Sequence, residues 1–272
     1  MKLLSSLTIT IALTVPLLAQ TPAPTPSAAQ AQAKQELNAA AFAYRDGNFA
    51  EAQLHSEKAL LLDPENKTAP MFVARTIHAQ YKPKDFSPEN VAKAREAIIA
   101  YQRILERRPD DDEAYKAVAY LYGAINEEEL QREWILQRAG NVAVDNDKRA
   151  EAYVVLASKD WDCSFRITEL PGNKVTTVDG IKASVKYRKP KDPVEFERAK
   201  ACADSALGLA NMAIILAPDN EPAWSYKANI LLELEKLAEM SGNAQGKAEF
   251  HQQYEEALKE TQKLSKKSDP NP

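Results

Sequence analysis

The run from Arg45 to Asn66, RDGNFAEAQLHSEKALLLDPEN, limits the fold more than any other stretch of the chain. Gly47-Asn48 marks a tight turn. Phe49, Ala52, Ser56 and Ala59 then recur at three- and four-residue spacing, which places them on one helical face. Asp63-Pro64 ends the helix, because proline has no amide hydrogen to continue the ladder. One such helix pair buries too little apolar surface to stand alone, so the rest of the chain is read for copies of it.

Copies follow in order. The first unit opens with an Ala-rich helix over Glu36 to Tyr44. A second unit runs from Thr68 to Tyr81, then through the long turn KPKDFSPEN to a helix over Val91 to Arg107 before Pro109. The third opens at DDDEAY, where Asp111 or Asp112 suits a helix cap and Glu113 the first turn. Its second helix covers Glu127 to Ala139, and Asp145-Asn146 stands where Asp-Pro is expected. The fourth begins RAEAYVVLASKDW and resumes at Val194 to Leu216 before Pro218. The fifth has Pro222 near a helix start and Trp224 just after it, with helices over Pro222–Met240 and Ala244–Ser265 joined by Ser241-Gly242-Asn243.

Ala40, Tyr44, Gly47, Phe49, Ala52, Ala59 and Asp63-Pro64 resemble the tetratricopeptide pattern of small, aromatic, turn and stop positions. Tyr115, Val118, Ala119 and Tyr122, then Tyr153, Leu156 and Ala157, then Trp224 and Ala228 fill the corresponding slots; in the first unit Glu36 replaces the usual Trp. The resemblance covers 34–267 apart from one interruption. It implies an all-α fold, a right-handed α-α superhelix of about five helix pairs.

The interruption is 162–193. Cys163 to Glu169 alternates, Pro171-Gly172-Asn173 reads as a turn, and Asp179-Gly180 is a strong hairpin signal. Beyond it Ile181, Ala183, Val185 and Tyr187 alternate with Lys182, Ser184, Lys186 and Arg188. This predicts a small antiparallel β insertion with one apolar and one basic face. Cys163 and Cys202 flank it and invite a disulfide; two buried free thiols are the other reading.

The start, 1–19, has Lys2 followed by the apolar run Leu7 to Leu18 and resembles a secretory signal peptide cleaved after Ala19 or Ala23; a retained anchor is the alternative. No later segment reads as membrane-spanning. An exported protein, periplasmic or extracellular, is expected. Residues 20–33 are rich in Pro, Ala and Gln and read as a disordered linker, and 268–272 as a frayed tail.

Low glycine (8 residues), 44% hydrophobic and 27% charged residues favour helix with ample core, and a net charge of −4 argues against general nucleic-acid binding. No catalytic constellation is legible. His55, His78 and His251 form no metal-binding pair. The stretch Gly242 to Ala248 falls short of a phosphate loop, lacking its Ser or Thr. No enzyme activity, cofactor or metal is therefore expected. The resemblance implies a groove lined by the first helices of each pair, with a peptide or partner protein as ligand. By register this gives Tyr44, Arg45, Met71, Arg75, His78, Lys116, Tyr120, Ser158, Trp161, Tyr226, Asn229 and Glu233. The residue set of chaperone-tail-binding members is not reproduced. The basic face of the insertion, Lys182, Lys186 and Arg188, is a second candidate, for docking to a cell-envelope or transport assembly.

Overall fold

The computed structural model describes residues 27–179 and 182–268. The expected signal peptide, residues 20–26 of the expected linker, Gly180-Ile181 of the hairpin turn and residues 269–272 lie outside the described residues, as do the side chains of Lys182 and Ser268.

Ten helices and one hairpin form among the described residues. They are α1 (Ala28–Arg45), α2 (Phe49–Leu62), α3 (Ala69–His78), α4 (Pro88–Arg107), α5 (Asp112–Ala124), α6 (Glu128–Gly140), α7 (Asn146–Thr168), β1 (Lys174–Asp179), β2 (Lys182–Tyr187), α8 (Pro193–Leu216), α9 (Glu221–Ser241) and α10 (Ala244–Ser268). Each helix packs on the next, and α7 also packs on α9. The core is a chain of local clusters, as stacking of thin pairs requires.

The repeat is written in two kinds of turn. Within pairs one, three and five, the chain reverses through a left-handed residue, Gly47 (φ 80), Asn126 (φ 60) and Gly242 (φ 72). Each time the following amide reaches back to close the same hydrogen-bonded loop: Asn48 N to Ala43 O, Glu127 N to Tyr122 O and Asn243 N to Ala238 O, at 2.8, 2.9 and 2.9 Å. Between pairs, the residue before proline leaves the helix for extended backbone. Asp63 (φ −137, ψ 82), Arg108 (φ −136, ψ 77) and Ala217 (φ −141, ψ 83) adopt nearly one conformation. Side-chain caps start the next helices: Asp111 accepts from Ala114 N and Asn220 from Ala223 N, both at 3.0 Å.

Close helix approach comes from alanine. Ala40, Ala52, Ala59, Ala97 and Ala157 are fully buried, and α8 carries a buried stripe of Ala199, Ala203, Ala206, Ala210 and Ala213. This helix has a mean hydropathy of 1.3 and is long and apolar enough to cross a membrane by length and composition alone. That corrects the expectation that no later segment reaches this measure. Its alanine stripe packs in the core, against helices that include α7 and α9.

Two boundaries differ from the sequence reading. Residues 28–33 are not linker: Ser27 and Gln30 form a reciprocal capping box, α1 starts at Ala28, and Ala33 is fully buried. The stretch 162–168 is not part of the insertion either. It completes α7, with Ser164, Ile167 and Thr168 buried at helical spacing, so the insertion proper is a hairpin between α7 and α8. Cys163 thus sits within α7 and is bonded to Cys202 of α8, with Cα atoms 6.0 Å apart.

The strands pair antiparallel, Lys174 opposite Tyr187 and Asp179 opposite Lys182. The predicted apolar face is not packed down along its length. Tyr187 meets the core at the base, whereas Val178 and Val185 are exposed.

Candidate functional site: the inner face of the helix array

The face that carries the predicted groove residues, here the inner face, begins at the end of α1. The Tyr44 ring lies 5.2 Å from Phe49 and 6.1 Å from Phe72 of α3. Phe72, Arg75 and His78 follow at three-residue intervals, so α3 presents them as one stripe. Glu113, Lys116 and Tyr120, at spacings of three and four, form the matching stripe on α5. The stripes interlock: Arg75 donates to Glu113 through Nε and Nη2, both at 2.5 Å. The His78 ring sits 5.8 Å from Tyr120 and edge-on to Tyr101 at 5.9 Å, with Nδ1 3.3 Å from the Tyr101 hydroxyl.

The hydrogen bonds from Arg75 hold the Glu113 carboxyl below the usual carboxylate range, and Glu113 raises the guanidinium in return. Burial pushes the His78 imidazole down and the Tyr101 hydroxyl up. Near neutral pH this face therefore offers a neutral imidazole between phenols beside a fixed guanidinium–carboxylate pair. The side chains of that pair are 46% exposed on both sides. An ion pair so wet contributes at most about 1 kcal/mol to folding. Its structural consequence is to fix two polar groups in a forked geometry at the surface.

The other predicted groove residues divide. Arg45 lies over its own helix's Phe42, 4.9 Å from the ring centroid. Met71 is half-buried against the core; its neighbour Phe72 takes the aromatic position. Lys116 is tied to Asp112 at 2.5 Å. A second patch forms on α7 and α9, where Trp161 packs 4.8 Å from Phe165 and 6.4 Å from Tyr226. Ser158 donates to the Val155 carbonyl of its own helix at 2.8 Å, and Asn229 is exposed.

Glu233 is a correction. It is 1% exposed and cannot line a groove. Its carboxyl accepts from Ser164, Thr168 and Lys236 inside the α7–α9 interface. Buried polar atoms demand such partners, and two of the three, Ser164 and Thr168, lie 69 and 65 residues away in sequence.

Beneath the hairpin, Glu169 is a hub. Its carboxyl receives Lys174 at 2.5 Å, Lys236 at 2.8 Å and the Tyr187 hydroxyl at 3.0 Å. Burial alone would raise its pKa; the hydrogen bonds from Lys174, Lys236 and Tyr187 and the Lys236 charge outweigh it and hold it at about 2. Glu239 accepts the Tyr187 amide at 3.0 Å. The hairpin base is thereby fixed, while Lys186 and Arg188 stay exposed.

Phe72, Tyr101, Glu113 and Phe165 were not foreseen as members of these patches. Phe72 is legible as the residue three before Arg75, whereas Glu113 satisfies a helix-start rule and carries no further signal.

No family model matches the chain, and no curated protein matches it. Among solved structures it is similar to MamA (13% identity, 89% of this chain and 97% of that one, TM-score 0.38). PilF of Pseudomonas aeruginosa is 12% identical over 89% of this chain and 100% of its own, with a TM-score of 0.34. A tetratricopeptide repeat protein from Parabacteroides merdae is 13% identical over 86% and 98%, with a TM-score of 0.36. The recurring left-handed turns, the matching stops before proline and the serial stacking of pairs make this chain a tetratricopeptide-like helical array.

Proposed function

We propose that the chain is a non-catalytic interaction scaffold that binds a peptide or partner-protein segment on its inner face, by contact and without a cofactor. The observation that carries this reading is the interlocked stripe of Tyr44, Phe72, Arg75, Glu113, His78 and Tyr120. It joins exposed aromatic surface to a preset charged fork across three successive first helices. Aromatic and arginine side chains dominate the energetics of protein recognition sites. The protein works outside the cytoplasm, periplasmic or extracellular; the Cys163–Cys202 disulfide suits an oxidising compartment.

The test is capture from envelope extract with the wild type and with Arg75→Glu/Tyr120→Ala. Loss of the captured partner in the variant, with helical circular dichroism unchanged, is expected. Retention of every partner would refute inner-face binding. A second reading, docking through the hairpin, is favoured by the exposure of Val178 and Val185 on a ribbon whose base is fixed. Reversal of Lys182, Lys186 and Arg188 to Glu would then remove the partner while Arg75→Glu/Tyr120→Ala keeps it.

A further inference from the structure

We infer that the chain has a second peptide-binding site, on the opposite side of the pairs, in the groove between α2 and α4. It would take a segment that places apolar side chains beside a cluster of carboxylates.

The groove consists of two adjoining cavities of about 810 and 450 Å³ that share Leu60 and Arg103. Its floor is apolar: Leu60, Pro70, Val73, Ile77, Ile99 and Ile104. None of the inner-face residues lines it. Along α4 it runs from Glu96 to Arg108, roughly 18 Å at the helical rise, which suits a short helix or a few extended residues.

Charge sets the direction and the partner. At one end Lys67, Arg103 and Arg107 stand exposed with neither an ion pair nor a hydrogen bond among the described residues. Arg108 joins them but is paired with Asp111 at 3.2 Å. These cations outnumber the two carboxylates on the same rim, Glu65 and Glu106. Lys58, Lys93 and Arg95 are held in ion pairs, whereas Lys67, Arg103 and Arg107 on this rim are free to meet a ligand. The other end carries Glu57 and Glu96, and Glu96 already accepts from Lys93 and Gln53. A uniformly acidic ligand would be repelled there, and a uniformly basic one at the arginine end. A segment with its acidic half at the arginine end and its apolar half over the floor avoids both repulsions.

The experiment titrates the full chain into a fluorescein-labelled decapeptide with a Leu-rich half and a Glu-rich half, read by fluorescence anisotropy. Saturable binding that weakens with added salt is expected. Arg103→Glu/Arg107→Glu should weaken it at least about tenfold, and so should replacing the peptide's Glu by Lys. Tyr120→Ala, on the inner face, should leave it unchanged, which separates this site from the one proposed above. If the double variant loses its helical signal, Arg103→Gln alone should still weaken binding. Absence of saturable binding, equal binding of the Lys peptide, loss on Tyr120→Ala, or preference for phosphatidylglycerol vesicles over the peptide would overturn the assignment.

Discussion

Replacing Glu169 by Gln should release the hairpin base and cost most of the stability that this carboxyl supplies. Glu169 receives two ammonium groups and a phenol, and its side chain is only 19% exposed. Its pKa falls from 4.5 to about 2 on folding. That difference corresponds to roughly 3 kcal/mol at neutral pH, an upper figure for a group that keeps some solvent contact. The sign follows from proton binding. The folded carboxyl holds its proton less tightly than the unfolded one, so the contribution is complete well above pH 4.5 and drains away as pH falls toward 2. Urea unfolding of wild type and Glu169→Gln, followed by far-ultraviolet circular dichroism, should show a gap of a few kcal/mol at neutral pH that narrows steadily below about pH 4.5. Hydrogen exchange at the Tyr187 amide should quicken in the variant, because that amide is held beside the same hub. A gap that does not change with pH, or no gap at all, would refute the assigned role.

Three further outcomes are expected. Ala157→Leu overpacks a fully buried contact in the α7–α9 core and should cost about 1–3 kcal/mol in urea unfolding. Reducing the Cys163–Cys202 bond, which spans 39 positions, should lower the unfolding free energy by up to about 4 kcal/mol, and Cys163→Ser/Cys202→Ser should match the reduced protein. Burial holds His78 below its ordinary 6.5, so the unfolded chain takes up the proton first, and stability should fall as pH drops below about 6.5. His78→Gln should abolish that part of the acid sensitivity in thermal melts.

The helix pairs were legible because their punctuation is local. Gly47, Asp63-Pro64, Pro109 and Pro218 act through their own backbone, and the structure repeats the same turn and the same stop at each. The errors arise where a distant partner decides. Cys163, Phe165 and Ile167 alternate with polar residues and so mimic a strand. Yet Ser164 and Thr168 face Glu233 from 69 and 65 residues away, and that buried contact keeps α7 helical to its end. The same contact removes Glu233 from the groove where helical register alone had placed it. Composition hid the start of α1, where the alanines and glutamines of a linker also suit a capped helix.

The proposed scaffold meets its partner on the stripe of α1, α3 and α5. A photo-crosslinking amino acid placed at Tyr120, and in a separate variant at Val142 in the exposed α6–α7 loop, tests it most directly. Irradiation in the native host should trap a discrete adduct from position 120 and none from position 142. Adducts of equal yield from both, or from 142 alone, would contradict the account.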